Sequence, residues 1–152
     1  MTLKDYSSAI IKGTSPLEQG TGGIWYLGSA GYSTLELSGG EVHELDMNSY
    51  ATATLSGGII ESIWSYQSAW LQEGDPPVWV PNPHITIDCQ LDTVFHNTQT
   101  NLLTGNWLDG SAFSIQLVDI DGYSPAIENI IFIPEPATIL LLTLGTVLIR
   151  RR

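Results

Sequence analysis

Three pairs of carboxylates lie close enough along the chain to act together: Glu41 with Glu44, Asp88 with Asp92, and Asp119 with Asp121. Each pair could divide the roles of acid and base at a glycosidic bond, or supply oxygen ligands to calcium. With sixteen Asp and Glu in 152 residues, chance neighbours are common, and the cations that usually steady an anionic intermediate are scarce. His43, His84 and His96 are scattered and lack the helical spacing of a zinc protease. The stretch LGSAG at residues 27–31 lacks the spacing of a nucleophile elbow, and no glycine-rich phosphate loop is present. Cys89 is the sole cysteine, so an intrachain disulfide is excluded and a buried, inert thiol is expected. The five Trp could stack on sugars, but Trp64, Trp70 and Trp79 fall where ordinary packing would place them. The expectation is a non-enzyme without cofactor or metal, with calcium at Asp119 and Asp121 as the alternative use of the acids.

Charge narrows the partners. Only five residues are Lys or Arg, and three of them are Arg150, Arg151 and Arg152. Residues 1–149 therefore carry sixteen carboxylates against Lys4 and Lys12, a formal charge of −14. Such a body repels nucleic acid and anionic lipid, so no nucleic-acid partner is expected. At 43% apolar residues the chain has material for a core. The opening MTLKDYSSAIIKGTSPLEQG lacks a long apolar run behind a basic start, so no N-terminal signal peptide is expected within it.

The elements that must hold these residues announce themselves by repetition. YSTLELSGG begins at Tyr32, YATATLSGG at Tyr50 and YQSAWLQEG at Tyr66, with an earlier copy, YSSAIIKG, at Tyr6. The shared skeleton is Tyr, small polar residues, an aliphatic (Ile11, Leu37, Leu55, Leu71) and then Gly, with a second aliphatic pair (Val42 and Leu45, Ile60 and Ile63) in two of the copies. Alternation of period two broken by Gly-Gly predicts short strands and corners, and self-similarity at a near-fixed period predicts stacked coils. Residues 1–75 are thus expected to form short β-solenoid repeats resembling a parallel β-helix, with Tyr32, Tyr50 and Tyr66 stacked as a ladder. The first copy starts almost at Met1, which predicts a solenoid continuing upstream or a shortened reading frame.

Residues 76–83 form a proline-rich junction, unsuited to helix. Beyond it HITIDCQL, FSIQLVDI and IENIIFI read as strands, and Asp109-Gly110 as a hairpin turn. Residues 84–133 are expected to be a small antiparallel β module capping the solenoid. The fold class read from the sequence is therefore all-β, with a single C-terminal transmembrane helix appended.

That helix is read from residues 137–149, thirteen apolar or small residues in a row. As a helix they span about 20 Å, against about 30 Å of bilayer hydrocarbon, which makes a marginal anchor. The terminal arginines would stay on the cytoplasmic side and leave the acidic body outside.

Pro134-Glu135-Pro136, the Leu-rich run and the terminal Arg cluster together resemble the PEP-CTERM sorting signal of bacterial envelope proteins. The resemblance covers the tail from 134 to 152, with the parts in the expected order. It implies that Pro134, Glu135 and Pro136 are recognised by exosortase, a membrane-embedded processing enzyme, and that Arg150 to Arg152 are the stop and orientation signal. It further implies passage through the inner membrane, removal of the tail, and a final place at the cell surface or in the extracellular matrix. Extracellular polysaccharide is a candidate partner there. The functional expectation is a non-catalytic exported surface protein. Its rivals are a polysaccharide-acting β-helix enzyme and a single-pass display or binding module that keeps its anchor.

Overall fold

Leu35, Leu37, Ala53 and Leu55 alternate with Thr, Ser or Glu, which gives a strand one apolar and one polar face. The computed structural model describes residues 1–13, 23–66 and 82–133, with the backbone of Ala69–Trp70 and Val78–Trp79. The described residues are mostly β. In chain order the strands are β1 Thr2–Leu3, β2 Ser8–Ile11, β3 Ile24–Ser29, β4 Thr34–Asn48, β5 Thr52–Tyr66, β6 Ala69–Trp70, β7 Val78–Trp79, β8 His84–Asp88, β9 Phe95–Asn97, β10 Leu102–Asn106, β11 Ala112–Val118 and β12 Ile130–Ile133. Two short 3-10 segments, Leu91–Thr93 and Ala126–Asn129, complete the list.

Two parallel ladders share the long strands. The first runs β2, β4, β5, β8, β12, and uses the N-terminal halves of β4 and β5. The second runs β1, β3, β4, β5, β11, and uses their C-terminal halves. β4 and β5 pair from Thr34↔Thr52 to Asn48↔Tyr66, with the same offset at both ends and an irregularity only between Leu37 and Glu41. Like residues consequently stack in columns that point inward. Leu27, Leu45, Ile63 and Leu117 form one, and Leu35, Ala53 and Ile85 another, all of them buried. Each fully buried Leu or Ile contributes about 1.5–3 kcal/mol of transfer free energy.

The Gly-Gly pairs mark the corner between the two ladders. A Cβ on Gly58 would stand 2.7 Å from the Gly40 carbonyl oxygen, and one on Gly57 would stand 2.9 Å from that of Ser38. Gly58 also has φ of 93°, so close approach and backbone conformation both call for glycine. Over this corner lies Trp107, wholly buried, whose indole N–H donates to the Gly58 carbonyl at 3.1 Å.

Two expectations change. The tyrosine stack is Tyr6, Tyr32 and Tyr50, with ring centroids 5.2 and 4.5 Å apart and planes within 5° and 11°. Tyr66 lies outside it: as the last residue of β5 it pairs with Asn48, at the opposite end of the strand from Tyr50. The strand following β5 in the first ladder is β8, because Thr52 pairs with His84, and Ile87 rather than Leu71 stacks on Leu55. Leu71, Trp70 and Trp79 have side chains outside the described residues, as do most of the proline-rich junction and the whole of 134–152.

The second change concerns residues 84–133. Only β9, β10 and β11 pair antiparallel, whereas β8 and β12 extend the first ladder and β11 joins β5 in parallel. The segment shares its sheet with the repeats. The Asp109-Gly110 turn closes with two backbone bonds: the Gly110 N–H donates to the Trp107 carbonyl, and the Trp107 N–H to that of Ser111. Asp109 Oδ1 accepts from both the Ser111 backbone and its hydroxyl, which holds the carboxyl below the usual range. Among the described residues no helix is long and apolar enough to cross a membrane.

Candidate functional site

The outward sides of the ladders differ in chemistry. The first ladder presents Thr34, Thr52, Thr54 and Thr86, with the Thr52 hydroxyl donating to that of Thr34 at 3.2 Å. The second gathers aromatic and acidic side chains from β3, β4 and β5. Register does this: Trp25 and Tyr26 both fall between the inward-facing Ile24 and Leu27, and the constant offset between strands sets rows across them. Tyr26, Glu44 and Ser62 make one row; Gly28, Asp46 and Trp64 make the next.

Three contacts define the centre of this face. Trp25, 67% exposed, stacks on His43 with centroids 3.9 Å apart. His43 Nδ1 meets the Glu61 carboxylate. The Tyr26 hydroxyl donates to Asp46 Oδ2 at 2.9 Å, while Asp46 Oδ1 is buried and has no hydrogen-bond partner. Gly28 makes room for this arrangement, because a Cβ there would stand 3.0 Å from the Tyr26 ring. Burial, then the hydrogen bond to Asp46 and its negative charge, push the Tyr26 phenol up to about 12. Burial and the Asp46 charge raise Tyr66 as well, and Tyr66 meets the edge of Tyr123 at 5.6 Å. The carboxylate of Asp46 thus lies among aromatic rings.

The acid pairs singled out from the sequence separate. Glu41 and Glu44 share β4, on either side of His43, and Glu44 belongs to the aromatic face. Asp88 ends β8 in the first ladder, and Asp92 is exposed in a 3-10 segment. Asp119 is occupied structurally: Oδ1 accepts from the Ala126 N–H at 2.8 Å and Oδ2 from the Asn101 amide at 3.0 Å. Asp121 is exposed in the following turn. No group of three or more His, Cys, Asp and Glu among the described residues could hold a metal ion. His84 sits opposite Thr52, and His96 Nε2 bonds Asn101 Oδ1 at 2.8 Å, so the three histidines occupy three separate places. Ser29 of the LGSAG stretch is buried, with its hydroxyl bonded to that of Ser33. Cys89 is buried, and burial followed by the Asp88 charge raises its thiol.

Residue type alone does not single out Trp25, Tyr26, Asp46 or Glu61, but spacing carries a signal. Trp25, His43 and Glu61 follow one another at the same step that separates Tyr32 from Tyr50. Pro134, Glu135, Pro136 and Arg150 to Arg152 lie outside the described residues. A scan against protein-family models, a search of curated proteins and a search of solved structures each return no match.

Proposed function

We propose that the chain is a non-catalytic exported protein of the bacterial cell envelope, a short β-solenoid routed by its C-terminal tail to the cell surface or extracellular matrix. The carrying observation is the order of parts in that tail: Pro134-Glu135-Pro136, thirteen apolar or small residues, then Arg150 to Arg152. A run this short dwells in a bilayer but anchors poorly, and the prolines keep the adjoining segment from continuing a helix, within reach of a membrane protease. Exosortase is the processing partner in this reading. The charge distribution supports the orientation, with the basic end held inside and a body of formal charge −14 passed across. The solenoid reading draws support from parallel ladders in which the inward-facing aliphatic residues of β3, β4 and β5 stack on one another, Ile24 on Val42 and Ile60, and Leu27 on Leu45 and Ile63.

The test is intact mass and cell fractionation of the chain, expressed behind a supplied signal peptide in a host possessing the sorting enzyme. The expected species is shortened near Pro134 to Pro136 and lies outside the inner membrane. A full-length species retained in the membrane overturns the sorting reading and makes the tail an ordinary anchor for a display module.

A further inference from the structure

We infer that the two ends of the strand stack are complementary docking surfaces for a second copy of this chain. Copies associate head to tail, the end that carries β9 and β12 in one against the end that carries β2 and β3 in the next. The inference is separate from export and does not depend on processing of the tail.

Three observations carry it. The first is where large apolar side chains meet water. Tyr6, Ile10 and Trp25 lie at one end of the stack and Phe95, Ile131 and Ile133 at the other, each between 44% and 86% exposed. Among the described residues of β4, β5, β8, β10 and β11, Ile59 is the single large apolar side chain exposed. One outward column of the first ladder shows the contrast: it reads Ile10, Glu36, Thr54, Thr86 and Ile131, polar within and Ile at both ends. A stack whose terminal strands stay in water needs polar ends, and this one has the reverse.

The second observation is pairing. Among the described strands β2 pairs with β4 alone and β12 with β8 alone, and β1 covers only Gly28 and Ser29 of β3, which leaves Trp25 on an open edge. Neither β2 nor β12 contains the charge or proline that blunts such an edge. Ile11 and Phe132, which end one inward column, are only partly buried.

The third is charge. Residues 1–13 hold both described Lys, Lys4 and Lys12, against Asp5. Residues 82–133 hold Asp88, Asp92, Asp109, Asp119, Asp121 and Glu128, with no Lys or Arg. Lys12 follows Ile11 as Asp88 follows Ile87, and those two Ile share a column, so the cation and the acid leave the first ladder at the same corner. Opposite charges attract across a head-to-tail contact, whereas two acidic ends repel. Both halves of the contact belong to one molecule, which makes a second copy the fitting partner. A contact of this kind repeats without closing and gives a linear assembly.

The test is sedimentation of the full-length chain in non-ionic detergent over a range of concentrations. The wild-type chain is expected to form dimers and longer species as concentration rises. Ile10→Glu spoils one end and Ile131→Glu the other, and each variant alone should associate about tenfold or more weakly, because a carboxylate is set into an apolar contact. Mixed in equal amounts, the two variants should give dimers and nothing longer, since each keeps one intact end. Thr54→Glu, in the same column but within the stack, should leave association unchanged. Carbodiimide coupling of isotope-labelled with unlabelled chain should join Lys4 or Lys12 of one copy to carboxylates of residues 82–133 in the other. Circular dichroism verifies that the variants fold, and all three positions are exposed. A wild-type chain that stays monomeric, association indifferent to Ile10→Glu, as contact through the tails would give, a mixture that forms no dimer, an equal effect of Thr54→Glu, or coupling confined within one copy would each overturn the inference.

Discussion

The hydrogen bond from Tyr26 to Asp46 can be checked without any ligand. Burial is the leading cause of the raised phenol, so replacing the carboxylate brings its titration down only part of the way from about 12 toward the ordinary 10.0. Asp46→Asn is therefore expected to shift two phenols, Tyr26 and Tyr66, to lower pH in an ultraviolet titration of the folded protein, without releasing either completely, because burial is the leading cause for both. The same linkage sets a stability window. A group whose pKa is raised by folding contributes fully below its unfolded value, here about pH 10, and that contribution is lost as pH rises through about 12. The melting temperature should fall across this window, and Tyr26→Phe should flatten part of the fall. An unaltered titration in Asp46→Asn would mean that the phenol and carboxylate do not interact in solution.

At the scale of elements, the Gly-Gly corner is the most demanding feature of the long strands. Gly58 and Gly110 provide an internal comparison, with φ of 93° and 87° respectively. An added Cβ meets a carbonyl oxygen at 2.7 Å at Gly58 and nothing within 4 Å at Gly110. Backbone strain alone costs about 1–3 kcal/mol. Gly110→Ala should fall in that range, and Gly58→Ala should exceed it because the stacked corner of β4 must also move. Denaturant midpoints of the two variants measure the difference, and equal losses would mean that the corner yields freely. This corner was legible in the sequence as SGG recurring at the step from Tyr32 to Tyr50, as were the strands that flank it. The next strand of the first ladder was not, because Thr52 pairs with His84, well beyond that step, and a chance Tyr66 in the interval imitated the repeat. The site was half legible for the same reason. Spacing put Trp25, His43 and Glu61 in line, but nothing local says that Trp25 and Tyr26 would both face outward or that Asp46 would lie beside a phenol.

At the scale of the molecule, parallel in-register stacking makes each strand depend on the two beside it. The column Leu27, Leu45, Ile63 and Leu117 runs through β3, β4, β5 and β11, and every member is essentially inaccessible to water. Leu45→Ala removes a side chain from the middle of that column, at a cost of about 2–5 kcal/mol, a large share of the roughly 5–15 kcal/mol typical of a whole domain. In a stack held by neighbour contacts the loss should be uneven. β3 has only the short β1 on its far side, whereas β5 is still braced by β8 and β11, and Trp107 and Asn129 reach across to Gly58 and Ser65. Hydrogen exchange of Leu45→Ala should therefore show the amides of β2 and β3 losing protection first, while those of β5, β8 and β11 keep most of theirs. A uniform loss would mean that the two ends unfold as one unit, and that the C-terminal bracing carries through β4 to the first residues of the chain.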